Sequence, residues 1–220
     1  APPSASLYQK AESSVNVEVG MRLTTNKMKL EAIAFNNNYS NMLGSDLAAQ
    51  GGQGTLEQFN VGKAMVNGLE LMFQYLPLPK HFAFQIPIQL SYTYTNTQMK
   101  NDFESSAWGH VHYGDEIPYI YKHAFNAQIS LEHKRVEANF GARFNGDMRT
   151  TPGQGKIAER EKIPAHVILD ASLKVHVNKN ITISLNGINL ANKKYLVSRH
   201  PSGLRAGHPL GVYGGLRLQL

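Results

Sequence analysis

Between Phe82 and Tyr94 apolar and polar side chains alternate for thirteen residues. Phe82, Phe84, Ile86, Ile88, Leu90, Tyr92 and Tyr94 fall on one face, and Ala83, Gln85, Pro87, Gln89, Ser91 and Thr93 on the other. A period of two is the signature of a β-strand with unlike faces. Strands of globular domains usually run ~5–6 residues. At ~3.3 Å per residue and a tilt of ~40°, this one would rise roughly 30 Å, the height of a bilayer. Aromatics sit at both ends with aliphatics between them, as a membrane-interface girdle requires. Pro87 has no N–H to give a ladder, so a bulge or weak pairing is predicted there.

The pattern recurs. Val15 to Leu23, Leu69 to Tyr75, Phe125 to Leu131, Val136 to Phe144, Val167 to Val177, Ile181 to Leu185 and Val212 to Leu220 alternate in the same way. Lys27–Asn36 is less regular, because Ile33 and Phe35 share a face with Lys29 and Glu31. The sum is about nine strands and no convincing helix. Connection lengths sort themselves too. Short links near Thr24–Asn26, Leu76–Lys80, His133–Arg135 and Asn178–Asn180 alternate with long polar ones over Asn37–Asn60, Asn96–Lys122, Thr150–Pro164 and Ala191–Pro209. Outer-membrane barrels have short periplasmic turns and long extracellular loops. With a periplasmic C-terminus, every long loop falls outside. Ala1 would then lie on the extracellular side and the strand count would be odd, so further strands are expected upstream to close the barrel.

Composition excludes little by itself. No run of ~18 apolar residues offers a transmembrane helix, but alternating strands average to a polar sequence, here with a mean hydropathy of −0.32. The absence of cysteine removes disulfides, thiolate metal sites and cysteine nucleophiles. A formal charge of +6 points to anionic partners. No Gly-x-Ser-x-Gly, Walker loop or dinucleotide fingerprint occurs, and no catalytic residues can be assigned.

The final stretch, Asn186-Gly-Ile-Asn-Leu-Ala-Asn-Lys-Lys-Tyr195, then Ser198-Arg-His-Pro-Ser-Gly-Leu-Arg205, then Val212-Tyr-Gly-Gly-Leu-Arg-Leu-Gln-Leu220, resembles the closing hairpin of TonB-dependent receptors. Ala1-Pro-Pro-Ser4 and Glu12–Gly20 look like the family's mid-barrel segment. Asn41–Gly44, Tyr92–Thr95, Trp108-Gly, Gly114–Tyr119, Met148–Thr150 and Gly153-Gln-Gly155 look like the branch that contains ferric-citrate-type receptors. The resemblance covers essentially residues 1–220 and implies an all-β, antiparallel transmembrane barrel, of which this is the C-terminal portion of a probable 22-stranded whole. It further implies bacterial outer-membrane localisation and a plug. Uptake of an iron chelate such as ferric citrate, energised by TonB–ExbB–ExbD, would follow, with no covalently bound cofactor. Another metal, haem, or a passive porin or adhesin barrel are the alternatives. Leu220 stands where the family usually ends in Phe.

Basic loop residues are the candidate chelate contacts, since Arg captures carboxylate bidentately. They are Arg149, Arg199 and Arg205, with Gln154 and Trp108 as further loop candidates. Outward basic residues can equally pair with lipopolysaccharide phosphates. The expected partners are therefore outer-membrane lipid and lipopolysaccharide and a small anionic chelate, and no nucleic acid. His110-x-His112, followed by Asp115 and Glu116, is the best metal-like cluster, with surface histidines as the plainer reading. Glu18, Arg22, Glu70, Arg143, Asp170, Lys174 and Arg217 fall on polar faces, where cross-strand ion pairing is expected.

Overall fold

The computed structural model describes residues 11–45, 58–79, 81–105, 108–199 and 203–219. Ala1–Ser4, His200, Leu220 and part of the first long connection lie outside the described residues.

Nine long strands form one antiparallel sheet in chain order: β1 (Ser13–Thr24), β2 (Met28–Ser45), β3 (Gln58–Tyr75), β5 (Ile88–Met99), β8 (His123–His133), β9 (Val136–Asn145), β12 (His166–His176), β13 (Ile181–Ile188) and β16 (Gly211–Leu218). Along this path β1 and β16 are the two ends. A short strand, β4 (Phe84–Gln85), pairs with β8 ahead of β5. Three small ribbons decorate the loops: β6 (Phe103–Ser105) with β7 (Gly109–Val111), β10 (Met148–Arg149) with β11 (Lys162–Ile163), and β14 (Leu196–Ser198) with β15 (Arg205–Ala206). Among the described residues no helix is long and apolar enough to cross a membrane, which says nothing of crossing by strands.

Register carries the alternation from strand to strand. Met21 pairs with Ala32, Ala32 with Leu71, Leu71 with Tyr92, Tyr92 with Phe125, Phe125 with Phe144, and Phe144 with Val167. One apolar row thus crosses seven strands. Leu23, Leu30, Phe73, Leu90, Ala127, Ala142 and Leu169 make the row below it. Met21 (60%), Leu23, Phe125 and Val167 of these rows stay exposed and the rest are half-buried against their neighbours. Water would not tolerate so continuous an apolar face; hydrocarbon does.

The opposite face is polar and bonded to itself. Ser130 Oγ and Gln128 Nε2 donate to Asn139 Oδ1 (2.6 and 3.3 Å), and Asn139 Nδ2 donates to Ser172 Oγ (3.1 Å). Arg22 pairs with Glu31 (2.8 Å), Lys174 with Glu137 (2.8 Å) and Arg143 with Asp170 (3.9 Å). The lumen charges therefore do pair across strands where the residues allow it.

The structure bears out the irregularity expected at Pro87 and corrects the extents of one strand and one loop. The strand expected over Phe82–Tyr94 is interrupted: Pro87 cannot donate, the ladder stops at Gln85 and resumes at Ile88, and only the Pro87 carbonyl accepts, from Ser130 N at 3.0 Å. The loop expected over Asn37–Asn60 is shorter, because β2 runs on to Ser45 and β3 begins at Gln58. The irregular residue Phe35 also finds its reason. It pairs with Gly68, where an added Cβ would lie 2.7 Å from the Phe35 ring and 2.0 Å from the Tyr94 carbonyl oxygen, so the ring covers backbone that only glycine leaves open.

Candidate mouth of the barrel

The apolar band has an upper edge. Asn36 pairs with Asn67 and Asn67 with Asn96, on the face that carries the apolar rows, and Asn96 Nδ2 donates to Asn67 Oδ1 at 3.1 Å. From Met28 to Asn36 is eight residues, about 20 Å of height, against an apolar band ~25 Å tall in such barrels. Past this asparagine row β2, β3 and β5 continue upward as an overhang, and the polarity of the two faces changes. On the inner face Ala64 and Met99 are buried and support Val111 and Ile117, with Tyr39, Val66, Phe103 and Trp108 around them. The connection 100–122 is thereby folded inward over the overhang. Ile117 N donates to Thr97 Oγ1 (2.9 Å), Met99 N to the Asp115 carbonyl (2.7 Å) and Gly114 N to the Met99 carbonyl (2.9 Å). Burial of these donors leaves none to water, as a loop tucked against a sheet requires.

A second connection, 146–165, is bolted to the first by charge. Arg149, its side chain only 6% exposed, donates from Nε to Glu116 Oε2 at 2.8 Å and from Nη2 to the Gly155 carbonyl at 3.1 Å. Glu116 also accepts from Lys122 Nζ at 2.8 Å. Two backbone bonds run from the first loop to the second: Glu116 N donates to the Gly153 carbonyl and Tyr119 N to the Arg149 carbonyl, both 2.9 Å. Burial pushes the Glu116 carboxyl up, but the hydrogen bonds from Lys122 and Arg149, with their charges, outweigh it and hold the group below the usual carboxylate range. Gln154 Nε2 donates to the Tyr113 carbonyl and to Asp115 Oδ1, both at 3.1 Å. Tyr119 is held at φ 61°, a conformation costly for a bulky residue, at the point where the first loop turns down into β8.

The third connection, 189–210, is organised by Asn189, which is fully buried. Its Nδ2 donates to the carbonyls of Lys193 (2.9 Å) and His208 (2.8 Å), its Oδ1 accepts from Lys193 N (2.8 Å), and its own N–H donates to Asp170 Oδ1 (2.8 Å). Asparagine tolerates the left-handed backbone found here, φ 51°. The motif Asn189-Leu-Ala-Asn-Lys-Lys-Tyr195 is therefore a folding device. Its Tyr195 stacks on buried His166 (4.6 Å between rings), which meets Tyr121 edge-on (6.2 Å). Burial, and then the neighbouring Tyr195, push the Tyr121 hydroxyl above its ordinary range. Gly207 lies under the Tyr195 ring, where a Cβ would approach to 2.0 Å. Arg199 completes the set, donating from Nε to the Lys162 carbonyl (2.7 Å) and from Nη2 to the Glu159 carbonyl (3.0 Å) of the second loop.

Comparison with known proteins decides what this architecture is. The family model for "TonB dependent receptor-like, beta-barrel" matches residues 1–190. The chain belongs to the TonB-dependent receptor family. Among curated proteins, a probable TonB-dependent siderophore receptor, PiuA of Acinetobacter baumannii, is 27% identical over 149 residues, covering 65% of this chain and 19% of the relative. Among solved structures, the ferric-catecholate import receptor Fiu of E. coli K12 superposes with a TM-score of 0.66 at 22% identity, over 95% of this chain and 28% of that one. The ferric citrate transporter FecA does so with a TM-score of 0.69 at 18% identity, over 93% and 31%. These likenesses show the fold. The chain spans less than a third of each of these proteins, from 19% of PiuA to 31% of FecA. TonB-dependent receptors are outer-membrane barrels that serve as transport receptors, not enzymes.

Within this receptor barrel the candidate contacts are placed as follows. Arg149 and Gln154 of the second loop both reach the first, at Glu116 and at Tyr113 and Asp115, and Arg199 of the third reaches the second, at Lys162 and Glu159. Trp108 lies against Phe103 (6.2 Å between rings) and the small core beneath. Arg205 is exposed on β15, opposite Ser198 of β14. His110 is exposed and 3.4 Å from Glu104, while Asp115 and Glu116 are engaged by Gln154 and Arg149. Among the described residues no three His, Asp or Glu side chains gather as a metal site would need. Sequence reading missed Lys122 and Asp147, which line a cleft of about 290 Å³ with Glu116, Arg149, Lys156 and Lys162. Lys122 stood at the end of the long connection Asn96–Lys122, and nothing local marks it as a partner of Glu116.

Proposed function

We propose that this stretch is the C-terminal portion of an outer-membrane receptor barrel that takes up an iron chelate of anionic character, ferric citrate or one like it. The observation that carries the reading is the basic cleft at the loop end. Lys122, Lys156, Lys162 and Arg149 line it against only Glu116 and Asp147, and Arg149 and Lys122 already neutralise Glu116. Lys162 is paired with Glu159, so the cation this cleft leaves for a ligand is Lys156. Carboxylates of a chelate would be met there by its ammonium group, with Arg205 contributing from the third loop. In this reading Arg149, Gln154, Arg199 and Trp108 hold the loops in position more than they touch ligand. The apolar rows would face outer-membrane lipid, and basic loop tips lipopolysaccharide phosphates. Upstream strands would close the barrel around a plug, and TonB with ExbB and ExbD would supply the energy.

A strain lacking the full-length receptor, starved for metal, tests this. Growth on ferric citrate should fail and be restored by the wild-type receptor, but only weakly by Lys156→Gln/Arg205→Gln. Unimpaired growth of the deletion strain on ferric citrate, with a defect on haem, nickel or zinc, would refute the citrate assignment.

A further inference from the structure

The opposite end of the sheet holds a second concentration of positive charge. Two short turns, 134–135 and 177–180, and the end of β16 enclose a cleft of about 640 Å³ lined by Lys134, Arg135, His176, Lys179, Thr182, Arg217 and three side-chain amides. No carboxylate lines it. Glu132 and Glu137 line a neighbouring cleft that shares Lys134, and Glu137, which touches this one through His176, is taken by that ring and by Lys174. Among the described residues no ion pair is formed by Lys134, Arg135, Lys179 or Arg217. Both ring nitrogens of His176 are engaged, by Thr182 Oγ1 (3.0 Å) and Glu137 Oε1 (2.9 Å).

Four cations facing one cleft repel each other, and an anion between them relieves that repulsion. The volume suits a small ligand rather than a lone ion. Register places the cleft on the polar face: His176 pairs with Thr182 and Thr182 with Arg217, whereas Val175, Ile183 and Leu216 hold the apolar side. A lipid headgroup would approach from that apolar side.

We propose that this turn-end cleft is a binding site for a small multivalent oxyanion, a polycarboxylate or phosphate compound, reached from the barrel interior. Arg217 and Arg135 supply planar donors for its oxygens, and Lys134 and Lys179 supply screening charge. The site does not depend on which chelate the loops select.

Titration calorimetry on the full-length receptor in neutral detergent, with iron-free citrate and then inorganic phosphate as probes, tests it. Arg135→Gln/Arg217→Gln should weaken one class of site at least tenfold, Arg217→Lys should weaken it less, and Lys156→Gln at the loop end should leave it unchanged. Repeating the citrate titration in phosphatidylcholine and in phosphatidylglycerol nanodiscs separates the sources of the anion. Equal affinity in both supports a free ligand. Citrate binding insensitive to Arg135→Gln/Arg217→Gln, or abolished only by phosphatidylglycerol, would overturn the proposal. Loss of ferric-citrate capture at the loops with this site intact would count against the loop-end reading alone.

Discussion

Arg149 Nε lies 2.8 Å from Glu116 Oε2, joining two loops whose residues are 33 apart in the chain. The guanidinium is almost wholly buried, so this pair and its Lys122 neighbour decide whether the two loops behave as one body. Arg149→Ala would leave the Glu116 carboxylate half-satisfied and should cost about 2 kcal/mol locally. Hydrogen exchange at the Glu116 and Tyr119 amides should accelerate ~30-fold, while amides of β9 and β12 keep their protection. Unchanged exchange would show that the backbone bonds alone hold the loops.

The same pair gives a pH dependence with a definite sign. The folded Glu116 carboxyl titrates below its ordinary range, so the unfolded loop binds more protons than the folded one at acid pH. The contribution is complete above the ordinary range, ~4.3, and is lost as pH falls through the depressed value. Loop protection, corrected for intrinsic exchange, should be flat from neutrality to about pH 5 and fall below about pH 4. Loss beginning near neutrality would point to a histidine instead.

Gly68 is the tightest point of the sheet. Gly68→Ala would drive a Cβ to 2.0 Å from the Tyr94 carbonyl oxygen and against the Phe35 ring. A clash with backbone cannot be relieved by a rotamer change, so the cost should reach about 3 kcal/mol. The full-length receptor should lose its folded, fast-migrating gel form at a lower temperature. Pairing Gly68→Ala with Phe35→Ala should recover little, because the carbonyl contact remains.

Asn189 anchors the third loop through three side-chain hydrogen bonds in a fully buried setting. Asn189→Ala should cost about 3 kcal/mol, roughly 1 kcal/mol per bond. Asn189→Gly, which accepts the positive φ but restores no bond, should recover only a small part. Protease nicking between Lys193 and Arg205 reports the result.

Much of the sheet was legible because one face must be apolar along every strand. Met21, Leu71, Tyr92, Phe125 and Phe144 each announce their own strand, and register joins them into one row. Legibility ended at Asn36, Asn67 and Asn96, where hydrocarbon ends. Above them β2, β3 and β5 continue without the alternation, so the overhang reads as loop, whereas β1 keeps it up to Val15, opposite Asn38. Phe35 looked misplaced because its partner, Gly68, has no side chain to advertise the contact. Of the mouth, only the charge was readable. Basic residues in loops carry no record of which carboxylate they meet, and the pairing of Arg149 with Glu116 depends on how two loops fold against a sheet.

Transport through such a wall requires that the apolar rows, and not the polar face, meet lipid. The stretch contains no cysteine, so single labels can be placed within it cleanly. Spin labels at Phe140, Leu173 and Ile183, compared with Asn139, Ser172 and Ser184, in the full-length receptor reconstituted into bilayers, give the most direct reading. Oxygen, which concentrates in hydrocarbon, should relax the first three more than a water-soluble nickel chelate does, and the second three should show the reverse. Equal accessibility to both reagents on the two faces, or lipid exposure of Asn139 and Ser172, would contradict it.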